Sequence, residues 1–223
     1  MRIKIYQLNP SKESLKQRII DSKEMENINS SAYNQVFNAV IDETTPLGVM
    51  AKINSEGHPL YIGGTISPSD VITVGETSYL CQRNGFREIS FDVSLTHKPR
   101  DLMRVVYKEP KKPAFETEIR NELYYLQKAV GGGLIETVKI SNDKTLLIDN
   151  EESKIMGMEG NIRFGDGSSI IAGPFFICGE KNCDFRGLTD AEAEKYLKLF
   201  SVPEEISQEE VEADMFYQII GLN

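Results

Sequence analysis

The sequence predicts an α+β protein of two small modules, each a short antiparallel sheet covered by helices, followed by a helical C-terminal segment. Three observations carry this. Short apolar runs of period two alternate with stretches of helical spacing in both halves. Tight-turn signals, Gly75-Glu76-Thr77, Asn84-Gly85 and Ser141-Asn142-Asp143, separate the runs. A basic, proline-bearing seam, Lys108-Glu109-Pro110-Lys111-Lys112-Pro113, divides the chain. The expected divisions are therefore 1–108, 109–187 and 188–223. At 223 residues the length suffices for two small domains.

The first module opens with a strand at about 2–8, stopped by Asn9-Pro10. Ser11 is placed to cap a polar helix over about 12–25, in which Leu15, Ile19 and Ile20 are near-helical in spacing. Tyr33, Val36, Phe37 and Val40 fit one face of a short helix. Thr45-Pro46 starts another by the cap-then-proline rule, with Leu47, Met50 and Ile53 as its stripe. Past Pro68 the texture turns to strands. Val71–Val74, Ser78–Cys81 and Phe86–Phe91, joined by tight turns, predict an antiparallel meander covered by the preceding helices.

The second module begins with a strand at about 103–107. Ile119, Leu123, Leu126 and Val130 recur at helical spacing, and Gly131-Gly132-Gly133 ends that helix. A hairpin follows, Ile135–Ile140 and Leu146–Asp149, then a turn at Asn150–Ser153. Ile170–Ile177 reads as one apolar strand, which Pro174 confines to an edge or a bulge. Thr189–Glu192 and Ser207–Glu210 are capping boxes, the first opening a helix to about Phe200. After the second, Val211, Met215 and Ile219 form a stripe that Phe216 and Ile220 widen.

The net charge of −9 is unevenly placed. Residues 201–223 hold six acids and no Lys or Arg; without them the chain carries −3. That distribution argues against mimicry of a nucleic acid, which needs acids spread over a face. Residues 97–112 lean the other way, with Lys98, Arg100, Arg104, Lys108, Lys111 and Lys112 against Asp101 and Glu109. A solvated linker is the plain account of that run, and a phosphate or acidic-partner patch the functional one. No apolar run approaches the roughly 18–20 residues that span a bilayer, and the N-terminus lacks the pattern of a secretion signal. A cytoplasmic protein without membrane partners is expected.

No catalytic constellation is legible. The triple glycine follows a helix, whereas a phosphate loop precedes one. Gly165-Asp166-Gly167 lacks the Lys-Ser/Thr of such a loop and reads as a loop tip. Three cysteines fit a reducing compartment, and Cys178 and Cys183 lack a second paired spacing for zinc, so no metal and no cofactor is assigned. Pairing of Cys81 with His58 or His97 stays open, because spatial adjacency is invisible in sequence. Asp70, after Ser67-Pro68-Ser69, reads as a turn or capping residue.

Two stretches resemble known families. Ile3–Leu8, Tyr33–Phe37, Ile66-Ser67-Pro68-Ser69-Asp70-Val71-Ile72, Tyr79 and Asn84–Ile89 resemble the YodL-like domain. Leu126–Glu136, Asn150-Glu151, Gly157, Asn161-Ile162-Arg163 and Ile171–Pro174 are similar to a domain of unknown function that often accompanies it. The resemblance implies proteins of conjugative elements and phages of Gram-positive gut bacteria, encoded among antirestriction and other counter-defence genes. It implies no catalytic residues.

The expected function is therefore a non-enzymatic binding protein, an accessory or inhibitor. It would occupy a host protein, such as a defence component, or a small signalling ligand; nucleic acid is disfavoured. The contact residues assigned are Arg100, Arg104, Lys108, Lys111 and Lys112 at the seam, with Met215, Phe216 and Ile219 on the tail. One alternative is a hydrolase or transferase of nucleotides or nucleic acid using Asp70, Arg163 or Asp166. Another is a nucleic-acid binder using the basic seam.

Overall fold

The computed structural model describes residues 1–21, 28–140, 144–165, 167 and 169–220, with 216–220 by backbone alone. The fold is α+β, and the chain divides into two compact units, 1–100 and 101–223.

The first unit contains β1 (Arg2–Leu8), α1 (Lys16–Asp21), β2 (Tyr33–Val40), α2 (Pro46–Ser55), β3 (Val71–Val74), β4 (Thr77–Gln82) and β5 (Gly85–Ile89). The strands form one antiparallel sheet in the order β2-β1-β3-β4-β5. The expected meander is thus β3-β4-β5, extended on one side by the N-terminal strand. A register shift between Ile5 and Tyr6 lets β1 bury consecutive side chains: Ile3 and Ile5, then Tyr6 and Leu8. Tyr6, Leu8, Tyr33, Val71 and Leu80 pack with Ile19, Ile28 and Ala32 into one cluster. Phe91 closes it with ring contacts to Tyr6 and Tyr33.

Two local readings are corrected here. Tyr33–Val40 is a strand, because the residues that go inward are Tyr33, Gln35, Phe37 and Ala39, a strict alternation. The cap before α1 is Asn9, whose side chain accepts from Ser11 N at the start of a 3-10 turn over Pro10–Leu15. The part of the expected helix beyond Asp21 lies outside the described residues. Thr45 does cap α2, accepting from Gly48 N. That helix buries Val49 and Ile53, however, and leaves Leu47 59% exposed.

The second unit contains β6 (Leu102–Lys108), β7 (Phe115–Arg120), α3 (Leu123–Ala129), β8 (Ile135–Lys139), β9 (Thr145–Asn150), β10 (Gly160–Phe164), β11 (Ser169–Ala172), β12 (Phe175–Lys181), β13 (Asp184–Arg186), α4 (Asp190–Leu199) and α5 (Gln208–Ile220). The main sheet runs β7-β6-β12-β9-β8, with β13 beside the end of β12, and β10-β11 form a separate hairpin. The basic seam is therefore the loop of the β6-β7 hairpin, closed by the pair Tyr107 and Phe115. The strand expected at 103–107 belongs wholly to the second unit, so the division falls at 100/101 and not at 108/109.

The stretch that resembled one helix from Ile119 is a strand followed by a single short helix. Phe115, Thr117 and Ile119 alternate inward along β7, and α3 begins only at Leu123. The three glycines after α3 all have positive φ, the conformation that a helix terminus of this kind requires. The expected Ser141–Asp143 turn between β8 and β9 lies outside the described residues.

Ile170–Ile177 is two strands in different sheets. Gly173, at φ 72°, turns the chain and Pro174 follows where no ladder donor is needed. β12 is consequently the middle strand of its sheet, not an edge. Phe175, Ile177, Val106 and Leu147 form a core with Leu188, Ala193 and Tyr196 of the α4 segment. Both predicted capping boxes are present. The acidic tail folds back on its own unit: Ile206 and Val211 are buried against Ile170 and Ala172 of β11.

That docking has little slack. A Cβ placed on Gly160 would lie 2.5 Å from Ile206 Cγ2 and 3.1 Å from Val211 Cγ2. Gly160→Ala is expected to destabilise the second unit by about 1–3 kcal/mol through overpacking. Urea denaturation checks it, and a change within about 0.5 kcal/mol would show that the tail is loosely held.

Candidate functional site

In the first unit a long irregular segment, residues 56–70, connects α2 to β3, and side chains hold its backbone in place. Asn54 on α2 makes a two-way clasp on Ile66, donating to its carbonyl and accepting from its N–H. Gln7 on β1 accepts from Gly64 N at 2.9 Å and donates to the Asp70 carboxylate at 3.0 Å. Asp70 also accepts from Ser67 N at 2.9 Å, which closes the Ser67–Asp70 turn. Tyr33 Oη donates to Ser69 O, and Tyr61 Oη to Gly64 O. Ser69 sits at φ 88°, a strained conformation for a residue with a side chain. Its hydroxyl is buried with no hydrogen-bond partner.

The far side of this turn faces a cavity of about 350 Å³. Its walls are Leu47 and Met50 of α2, Ile66, Ser67 and Pro68 of the turn, and Cys81 to Phe86 around the β4-β5 connection. The lining is mostly apolar. Arg83 stands exposed at it and makes no ion pair among the described residues. Such a concavity, apolar with one cation at its edge, suits an apolar group that carries a polar or anionic end.

The thiol and the carboxyl of this region are held neutral or hydrogen-bonded, and the two histidines lie apart from the cavity lining. Burial pushes the Cys81 thiol up to about 11, with the Asp70 charge adding to the effect, so the sulfur is not a thiolate at neutral pH. Burial pushes Asp70 up to about 6, against the opposing hydrogen bonds from Ser67 and Gln7. His58 packs edge-on against Phe37 and accepts from Leu60 N. His97 bridges to β2 through its backbone.

The seam cations assigned from sequence do not form one free patch. Arg100 ends the first unit and is exposed. Arg104 forms a two-pronged pair with Glu116 at 2.8 and 2.9 Å and reaches Asp190, and both carboxylates push its pKa further up. Lys111 pairs with Glu159 and Lys112 with Glu109. Lys108 is a correction: its side chain is fully buried, and burial pushes its pKa down to about 8. On the tail, Met215 is half-buried, and the side chains of Phe216 and Ile219 lie outside the described residues.

Arg163, named for the enzymatic alternative, is engaged by the tail through Glu204 and Glu210. Asp166 lies outside the described residues. Sequence reasoning singled out Asp70 but not its partner Gln7, nor Asn54, which clasps Ile66; the targets of both lie more than ten residues away. It also missed the cavity, whose walls come from three separate segments. Cys81, Cys178 and Cys183 are free, and among the described residues no three metal-binding side chains converge. Among them, too, no helix is long and apolar enough to cross a membrane.

Comparison with known families agrees with this division. Residues 2–91 match the YodL-like domain, and residues 103–201 match a domain of unknown function, DUF3846. No curated protein and no solved structure matches the chain. The two matches thus fall one in each unit: the YodL-like match lies within the first, and the DUF3846 match spans β6 to α4 of the second.

Proposed function

We propose that this chain is a non-enzymatic binding protein of a mobile genetic element, acting in the cytoplasm to counter a host defence by occupying a protein partner or a small ligand. The observation that carries the binding role is the cavity beside the Ser67–Asp70 turn. Its turn wall, Ile66 to Pro68, is held by the Asn54 and Gln7 clasps, while Leu47 and Arg83 at it are left exposed. A preformed, largely apolar concavity lowers the entropy lost on binding. The neutral Cys81 thiol and the hydrogen-bonded Asp70 favour holding over bond-making. The mobile-element setting rests on the pairing of the two domain families.

Leu47→Glu tests this reading. Leu47 lies in the first turn of α2, where an acid is tolerated by the helix dipole, so thermal unfolding should be unchanged. Full-length chain recovered from its native host is expected to carry a stoichiometric ligand or protein by native mass spectrometry. The variant should retain about tenfold less, the scale of one buried contact. Equal retention by both chains, or by neither, would overturn the proposal.

A further inference from the structure

The second unit exposes three large apolar side chains on two neighbouring loops. Leu134, after the three glycines, is 55% exposed; Ile155 and Met156, after β9, are 77% and 54% exposed. The loops are not loosely juxtaposed. Asn150, itself buried, donates from Nδ2 to Gly132 O and to Met156 Sδ, and its Oδ1 accepts from Glu152 N at 2.8 Å. Glu151 N donates to Leu134 O at 3.0 Å, and Met156 N to Glu152 O at 2.9 Å. One buried amide therefore ties together the segments that present Leu134 and Met156. Holding such groups in water has no benefit for the isolated fold, because each would gain from burial.

Three acids stand on the same two segments. Glu136, Glu151 and Glu152 are exposed, and none makes an ion pair among the described residues. The nearby cation Lys154 is turned to the tail, where it pairs with Asp214. The result is an apolar centre with a carboxylate rim, the arrangement in which the centre supplies affinity and the rim steers encounter.

We infer that this two-loop surface docks a protein partner whose contact patch is apolar at its centre and ringed by Lys and Arg. The inference rests on the binding role proposed above, but on a different surface, and it names the partner class. A polyanion or an anionic membrane is excluded as occupant by like charge.

Selection of a displayed random-peptide library against the full chain tests it. The enriched peptides should combine two or more bulky apolar residues with flanking Lys or Arg. Synthetic copies should bind about tenfold or more weakly to Ile155→Lys. Glu151→Lys should slow their association and flatten its salt dependence. Both positions are exposed, so folding is not at issue. Peptides lacking cations, or affinity that survives Ile155→Lys, would overturn the inference, as would no enrichment. So would self-association of the chain abolished by Ile155→Lys, since the occupant would then be a second copy. Peptides lost on Leu47→Glu instead would sink this inference and leave the binding role standing. Retention of nothing by either surface would remove both.

Discussion

Asp214→Ala is expected to destabilise the second unit by about 3–5 kcal/mol, a loss typical of breaking a buried ion pair from one side. Asp214 is buried on α5, accepts from Lys154 Nζ, and takes the backbone N–H of Ile170 at 3.0 Å. The substitution leaves a largely buried ammonium without its counter-ion and a buried amide without an acceptor. Chemical denaturation of the full chain reads the loss. The double variant Lys154→Met, Asp214→Leu should recover part of it, because no charge then remains buried. A single-variant loss below about 1 kcal/mol would mean that water reaches the pair.

Asp149→Asn should change the pH dependence of stability. Asp149 on β9 is buried, has one oxygen without a partner, and lies across the strand pair from Glu136. Burial, with the Glu136 charge adding, pushes its pKa from 3.8 up to about 7. The sign follows from linkage. Below pH 3.8 the carboxyl is protonated in both states and costs nothing. As pH rises, the unfolded chain ionises freely while the folded one keeps its proton. Stability is therefore lost progressively and levels off once pH passes about 7. At about 1.4 kcal/mol per unit, the change between pH 5 and pH 8 is roughly 2–3 kcal/mol. The asparagine variant should lack that slope and gain relative to the parent at pH 8. Parallel slopes in urea midpoints would show that the group titrates normally.

What was legible in the sequence was local chemistry. The β3-β4-β5 meander, the β8 and β9 strands, the glycine stop after α3 and the caps at Thr45, Thr189 and Ser207 each depend on a few adjacent residues. The strand β2 was hidden because polar Gln35 occupies an inward position, so its apolar residues alone counted to a helical period, and β7 because its Ile119 falls in helical phase with Leu123 and Leu126 of α3. The single apolar run 170–177 concealed a change of sheet, a tertiary event marked only by Gly173-Pro174. The seam looked like a linker because its prolines do signal a loop, and nothing local shows that the flanking strands pair with each other. Site residues followed the same rule. Asp70 could be noticed beside Ser67, whereas its bond to Gln7 spans 63 positions and the walls of the cavity meet only after folding.

The position of β12 has a consequence for how the second unit is made. Its two neighbours, β6 and β9, both emerge from the ribosome before it does. Until Phe175–Lys181 is synthesised, the nascent chain holds two half-sheets whose inner rims are bare, a template for mispairing with other chains. Closure is then a single late insertion, and this half of the protein assembles like an arch awaiting its keystone.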